Sequence, residues 1–492
     1  MSVDAATRED AHQARGGPAG HVVMGCGLYA IAVACGVFMH VGGPSREAIG
    51  LIAVVQMLAL LFARVPVAMS MFIPGLVGLW AVSGQVAAES MLSKLPLDAI
   101  AKWTYSVVPM FILMGLLLAN SGLTTVVYRA ANHWIGWVPG GMAVATNFAG
   151  VGMAAMSGSA FGTVYSLGRI GIPEMLRLGY HKRLAIATIV VASLPAQLIP
   201  PSILLVVYAG MVETPIGPQL LAGIGPGVLV GLVFSSVFVL IGLRWPAWVG
   251  RSQDQVRPTV SWGERFKSLA QCAFLPLLIL VVLGGMFSGT MTATEAGAAG
   301  AMVTLVLVLW VCRRDRPFKR ISDASVATVK SSGAIFFLVI GIEAFSRMLS
   351  VTGIGVAFAD AVTDLGLNRV EFLLVMLVVY LILGIFFEPL ALLLLTVPVL
   401  IPTLQALDIS LVWFGVFAVF MGEIAVITPP VGMILFIVQK LSREPAVNLG
   451  QSISHRDVSF ASWLFVPLAL LFAVVLILWP DLVLYIPNQM SE

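Results

Sequence analysis

The sequence predicts an all-α polytopic membrane protein built from inverted repeats, with two re-entrant hairpins and two broken helices. Three observations predict this: composition, internal duplication and the placement of charge. Hydrophobic residues make up 59% of the 492 positions and charged residues 10%, a balance no soluble domain of this length shows. Apolar stretches of spanning length recur from about Leu51 to Tyr485. The chain also repeats itself. Pro173 precedes the pair Pro200-Pro201 by the same interval that separates Pro402 from Pro429-Pro430, and the copies are offset by 229 positions. Prolines deep in apolar segments remove helical hydrogen bonds, which lipid tolerates only where the broken backbone is buried in protein or lines a wet cavity.

Along the chain, residues 1–20 are polar and Gly/Ala-rich and read as a disordered tail. Residues 21–50 read as one extra N-terminal helix. Its apolar stretch Val22–His40 lacks a basic flank and a small-residue cleavage site, so it is retained and is not a signal peptide. Residues 51–260 form the first half, with a hairpin over 142–178 and a broken helix over 184–212. Residues 261–492 form the second, inverted half, with a hairpin over 370–406, a broken helix over 411–439 and a C-terminal span. The run Ser157-Gly158-Ser159-Ala160-Phe161-Gly162 suits one hairpin tip, and Phe386-Phe387-Glu388-Pro389 suits the other.

Charge fixes the orientation. The loop Arg244–Lys267 carries five basic residues and Arg313–Arg320 another five. Two spans, about Leu269–Phe287 and Ala293–Val311, separate them, so both loops fall in the cytoplasm by the positive-inside rule. Lys182 and Arg183 then lead into the first broken helix from inside, and the second runs inward to Lys440 and Arg443. The two copies are inverted across the bilayer, and paired interrupted segments of this kind point to a transporter's binding site. The four cysteines lie in apolar segments without metal spacing and read as small core residues.

The runs SGSAFGTVYSLGRIGIPEM (157–175), QLIPPSILLVVYAG (197–210), IGPQLLAGIGPG (216–227), TATEAGAAGA (292–301) and ITPPVGMILF (427–436) together resemble the large membrane subunit of the tripartite ATP-independent periplasmic (TRAP) transporters. The resemblance spans roughly Leu51 to Tyr485. It implies an elevator-type, ion-coupled secondary transporter of the bacterial inner membrane, not an enzyme. It also implies sodium-coupled uptake of organic acids such as C4-dicarboxylates, keto acids or sialic acids. Implied partners are a small four-helix membrane subunit and a periplasmic substrate-binding protein, with no nucleic acid. Sodium is the coupling ion and no other cofactor is implied. The alternative is a stand-alone sodium-coupled carboxylate transporter of related fold. Two departures stand out: Ala293 replaces a usual proline, and the chain extends N-terminally through about Gly50.

Sodium is a hard cation, satisfied by neutral oxygens, and unwound backbone supplies carbonyls at tips and breaks. The first site is expected at Ser157, Gly158 and Ser159 with Pro200, Pro201 and Ser202. The second is expected at Glu388 and Pro389 with Thr428, Pro429, Pro430 and Gly432. A substrate carboxylate would meet hydroxyl donors, for which Ser159, Ser202 and Thr428 are candidates. Arg169, ten residues past the tip, is expected to snorkel or pair with Glu174. Glu343 and Arg347 have the spacing of an intrahelical pair, and Glu295 that of a cap. Two other classes fit poorly. An ATP-driven pump lacks any G-x-x-x-x-G-K-[ST] sequence. A serine protease at Ser157 or Ser159 needs a base within hydrogen-bond reach, whereas His133 and His181 fall near membrane edges.

Overall fold

The computed structural model describes residues 18–250, 260–430 and 432–490, with side chains from Cys26 onward. Secondary structure in these residues is helical apart from one isolated bridge between Tyr180 and Val249. Among the described residues, seven helices are long and apolar enough to cross a membrane. Two compact units emerge, and each draws on both sequence halves: Met1–Lys102, Ala334–Asp364 and Pro398–Thr403 form one, and Trp103–Gly333, Leu365–Val397 and Leu404–Glu492 the other.

In the first unit, helices Pro18–Val41, Arg46–Phe62 and Val67–Ser83 pack in succession. Most of the expected tail, residues 1–17, lies outside the described residues. The first helix already begins at Pro18, and residue 50 falls inside the second, whose start is capped by the Ser45 hydroxyl accepting from the Ala48 N–H. The buried Gln56 donates to the Ala32 carbonyl at 2.9 Å and ties these helices together.

Small residues let the segment 334–352 approach its neighbours backbone to backbone. A Cβ placed on Gly341 would stand 2.4 Å from the Ala68 carbonyl oxygen, and one on Gly75 would stand 2.7 Å from the Ala344 carbonyl carbon. Gly78 is pressed instead on the Met348 side chain, and Gly50 on the Thr352 hydroxyl. The expected Glu343–Arg347 pair does not form. Glu343 takes Lys102 Nζ at 2.5 Å instead, and Arg347 stays exposed. A solvated i,i+4 pair is worth only a few tenths of a kcal/mol, so a lysine reaching a half-buried carboxylate displaces it.

Eight helical segments position the candidate site: α1 (Gly141–Ser157), α2 (Ala160–Arg177), α3 (Lys182–Ala192), α4 (Ile203–Val212), α5 (Arg369–Gly384), α6 (Pro389–Ala406), α7 (Leu411–Ile427) and α8 (Met433–Leu441), all in the second unit except Pro398–Thr403 of α6. The chain turns from α1 into α2 at Gly158 and from α5 into α6 at Ile385–Glu388. The second arms start at Ala160 and Pro389, which are 229 residues apart. Both proline pairs, Pro200-Pro201 and Pro429-Pro430, fall between helical segments and hold cis peptide bonds.

Local chemistry explains each end. Gly158 has φ +56°, a left-handed conformation that glycine adopts without a Cβ penalty. Ser159 caps α2, His181 caps α3, Ser202 caps α4 and Asn368 caps α5 in a capping box with Glu371. Pro389 opens α6 at a position where its missing N–H costs nothing. From Trp413 to Ile427, α7 is buried on every face, as a run that is apolar apart from Glu423 requires. Glycines on α7 admit close neighbours: Gly415 meets the Tyr208 ring and Gly422 meets Pro389. Beyond this core, helix Ala293–Val311 starts where expected despite lacking the usual proline, because Thr292 and Glu295 form a capping box.

Candidate ion and substrate site

The first hairpin tip and the first helix break are in backbone contact. A Cβ placed on Gly158 would stand 1.9 Å from the Pro201 carbonyl oxygen, so only a residue without a side chain fits there. Around it the hydroxyls form a local set. Ser157 Oγ donates to the Met153 carbonyl at 3.0 Å and lies 3.3 Å from Thr163 Oγ1. The Ser159 N–H donates to Ser157 Oγ at 3.4 Å, and Ser159 Oγ accepts from the Gly162 N–H at 3.3 Å. Thr163 is fully buried and was not foreseen from sequence. Its one signal was its position a helical turn after Ser159, facing back to the tip.

Pro201 has no N–H to return to the Gln197 carbonyl one turn back. The Ser202 hydroxyl takes that place, donating to Gln197 O while accepting from the Leu205 N–H at 3.2 Å. At the second break the Thr428 N–H turns to the Ala425 carbonyl at 3.1 Å, and its Oγ1 donates to the Ile424 carbonyl at 2.6 Å. The Ile427 carbonyl receives the Ser462 hydroxyl from helix His455–Trp463, and Gly432 returns its N–H to Thr428 O at 3.2 Å. Val431, between them, lies outside the described residues.

These bonds bear on the hydroxyls read as substrate donors. The Ser202 and Thr428 protons are already committed to backbone carbonyls, and both side chains are buried. What they have left to offer is oxygen lone pairs. Ser159 is half-buried at the tip, and its oxygen already accepts one N–H.

Pro389 packs against Gly422, six residues ahead of Thr428 along α7, while the Glu388 side chain is exposed. The structure thus sets Gly158 against Pro201 at the first tip and Pro389 against Gly422 at the second.

Arg169 does not pair with Glu174. It makes a bidentate contact with Glu444, at 3.0 and 3.1 Å, and lies over the Tyr165 ring, while Glu174 takes Arg177. Both contacts come from one guanidinium nitrogen, Nη2, and these charge-assisted bonds to a carboxylate on another segment replace the neighbour on its own helix. At the start of α3, Lys182 Nζ and Arg183 Nε hold the buried Asp457 at 2.7 and 2.8 Å. His181 stacks on Trp248, and burial together with the Arg183 and Lys182 charges holds its imidazole below the usual range. It follows the far end of α2, roughly 27 Å of helix from Ser159, out of reach as a base for a serine nucleophile.

Comparison with known proteins agrees with this architecture. Over residues 54–483 the chain matches the family model described as "Tripartite ATP-independent periplasmic transporter, DctM component". It is 33% identical over 391 residues to the C4-dicarboxylate TRAP transporter large permease protein DctM of Pseudomonas aeruginosa, covering 79% of this chain and 87% of that one. It is 31% identical over 437 residues to the sialic acid TRAP transporter large permease protein SiaM of Vibrio cholerae, covering 88% and 96%. Its fold resembles the crystal structure of the YdaH transporter of Alcanivorax borkumensis, with a TM-score of 0.61, 16% identity, and 81% and 90% of the two chains covered. These relatives and the candidate spans make it a multi-pass protein of the bacterial inner membrane. The chain belongs to the DctM family, the large permease component of the tripartite ATP-independent periplasmic transporters.

Proposed function

We propose that this permease takes up an organic acid by sodium-coupled secondary transport, in an elevator cycle. A periplasmic binding protein delivers the substrate, and a small four-helix membrane subunit completes the permease. The observation that carries the reading is the acceptor-only chemistry of the breaks. Ser202 and Thr428 direct their protons into backbone carbonyls and leave oxygen lone pairs, which suits a hard monovalent cation and does not suit a carboxylate. Ser157, Ser159 and the carbonyls around Gly158, Pro200, Pro201, Pro429, Pro430 and Gly432 would complete such sites, with Glu388 and Pro389 at the second tip. The substrate carboxylate would then meet the helix N-termini at α4 and α8.

Relatives named for C4-dicarboxylate and sialic acid transport share this scaffold. Their differing substrates support an organic acid as the substrate class of this chain.

The test is uptake in proteoliposomes holding this chain, its small subunit and the cognate binding protein. Uptake is expected to require an inward sodium gradient and no ATP. Ser159→Ala and Thr428→Val are expected to raise the half-saturating sodium concentration by up to about tenfold, the worth of one neutral ligand. Uptake that persists unchanged without sodium at a fixed proton gradient would sink the reading.

A further inference from the structure

α7 carries a carboxylate that no part of the site described above uses. Glu423 is 1% exposed, and both of its carboxylate oxygens lack a hydrogen-bond partner among the described residues. The residues on either side along α7, from Trp413 to Ile427, are otherwise apolar and all buried. The corresponding position of the first repeat, 229 residues earlier, is Leu194, so an apolar residue satisfies the fold at this point.

The charged and titratable groups on the elements packed against α7 are engaged elsewhere or exposed. On α5, Arg369 lies over the Trp413 ring, Glu371 caps Asn368, and the Tyr380 hydroxyl bonds Thr396 at 2.7 Å. On α4 the Tyr208 hydroxyl donates to the Leu411 carbonyl. On helix His455–Trp463, Asp457 is held by Lys182 and Arg183, His455 stacks on Phe436, and Arg456 is exposed. Lys440 on α8 and Asp481 and Tyr485 on helix Asp481–Asn488 are exposed. Helices α6, Ile216–Ala222 and Val466–Leu478 and the turn Leu194–Gln197 bring no charged or titratable side chain.

A carboxylate buried without a partner cannot keep its charge uncompensated, because the desolvation cost far exceeds what a folded protein can absorb. It must hold a cation or a proton. A sodium ion would need several further oxygens around it, and the side chains on either side of Glu423 along α7 are apolar and supply none. A proton needs none. We propose that Glu423 is a proton-binding site of the permease, exchanging one proton with water during the transport cycle and so adding a proton to the ions that drive uptake.

The position fits the role. Glu423 lies five residues, about 7.5 Å of helix, ahead of the break at Thr428, the point where α7 meets unwound backbone. An acid has a use there only if the break lets water reach it. This proposal rests on the reading of the chain as a secondary transporter, and the experiment separates the two.

Infrared spectra of the purified permease complex at neutral pH would be compared for wild type, Glu423→Gln, Glu423→Met and the exposed control Glu371→Gln. A protonated-carboxyl C=O band is expected in the wild type and in Glu371→Gln, and lost in both Glu423 variants. The same proteins, reconstituted with the binding protein and with a pH dye trapped inside, would be given substrate and a sodium gradient. The wild type is expected to acidify the lumen with uptake. Glu423→Gln is expected to retain sodium-driven uptake while losing the acidification and the dependence of uptake rate on pH. Identical carboxyl bands in wild type and variants would overturn the site. A lost band with no lumen acidification in the wild type would overturn its role in transport. Absence of any sodium-driven uptake, with the band still assigned to Glu423, would count against the transport reading and leave the proton site standing.

Discussion

At the scale of single residues, the first tip depends on one missing side chain. Gly158 has a left-handed φ and would drive a Cβ into the Pro201 carbonyl oxygen, whereas Gly162, one turn on, has nothing nearer than 3.6 Å. Gly158→Ala therefore meets two penalties at once, of which the backbone conformation alone is worth about 1–2 kcal/mol. The purified complex is expected to melt measurably lower for Gly158→Ala and no lower than wild type for Gly162→Ala, where a helix interior gains from alanine. Equal melting of the two variants would show that the tip does not hold the contact described. That Gly158 mattered was legible in sequence, because a Ser-Gly-Ser run interrupts an apolar segment. That Ser202 and Thr428 spend their protons on carbonyls was not legible. For Ser202 the acceptor is the carbonyl that Pro201 leaves without an N–H, for Thr428 the one its own N–H gives up, and both emerge only when the break has its shape. Glu423 was passed over because an acid inside an apolar run looks the same in sequence whether it is paired or alone.

At the scale of elements, the charged contacts tie segments far apart in the chain. Arg169 on α2 takes Glu444 beyond α8, and Asp457 on helix His455–Trp463 takes both Lys182 and Arg183 at the start of α3. Asp457 is buried and caps its own helix, so its removal strands two cations and an N-terminus. Asp457→Asn is expected to cost about 1.5–3 kcal/mol, the range for hydrogen bonds to charged groups. Arg177→Ala, which breaks an exposed i,i+3 pair, is expected to cost under about 0.5 kcal/mol. Thermal unfolding of the complex in detergent checks the ranking, and a smaller loss for Asp457→Asn would refute it. Both hairpins and both breaks were readable from proline and glycine spacing, since those residues act through the backbone wherever they sit. The partners of Arg169 and Glu343 were misread because spacing reports neighbours on one helix. In folded chains a half-buried carboxylate is settled by whichever cation the packing delivers.

At the scale of the whole molecule, orientation follows from the basic loops. Ser322 sits in the first turns of helix Pro317–Thr352, exposed and just past Arg313, Arg314, Arg316, Lys319 and Arg320. In a background without the four native cysteines, Ser322→Cys is expected to react with a membrane-impermeant maleimide only from the cytoplasmic side. Reaction from the periplasmic side would reverse the orientation of both repeats. The inverted architecture was legible because two copies must present their basic ends to the same compartment. The two compact units were not legible, since each is assembled from both halves and contiguity in sequence carries no trace of it.

The glycine contacts along segment 334–352 carry one mechanical consequence. Gly341 and Ala344 meet Ala68 and Gly75 through main-chain atoms, while Met348 and Thr352 receive Gly78 and Gly50. A seam of this kind has teeth on both sides and a single register. Sliding it by one residue would set a side chain where only a bare backbone fits, at separations below van der Waals contact. Side chains elsewhere can absorb a small slip by changing rotamer, but main-chain atoms cannot. Along this seam the first unit cannot creep by degrees, and its helices must travel together or stay still.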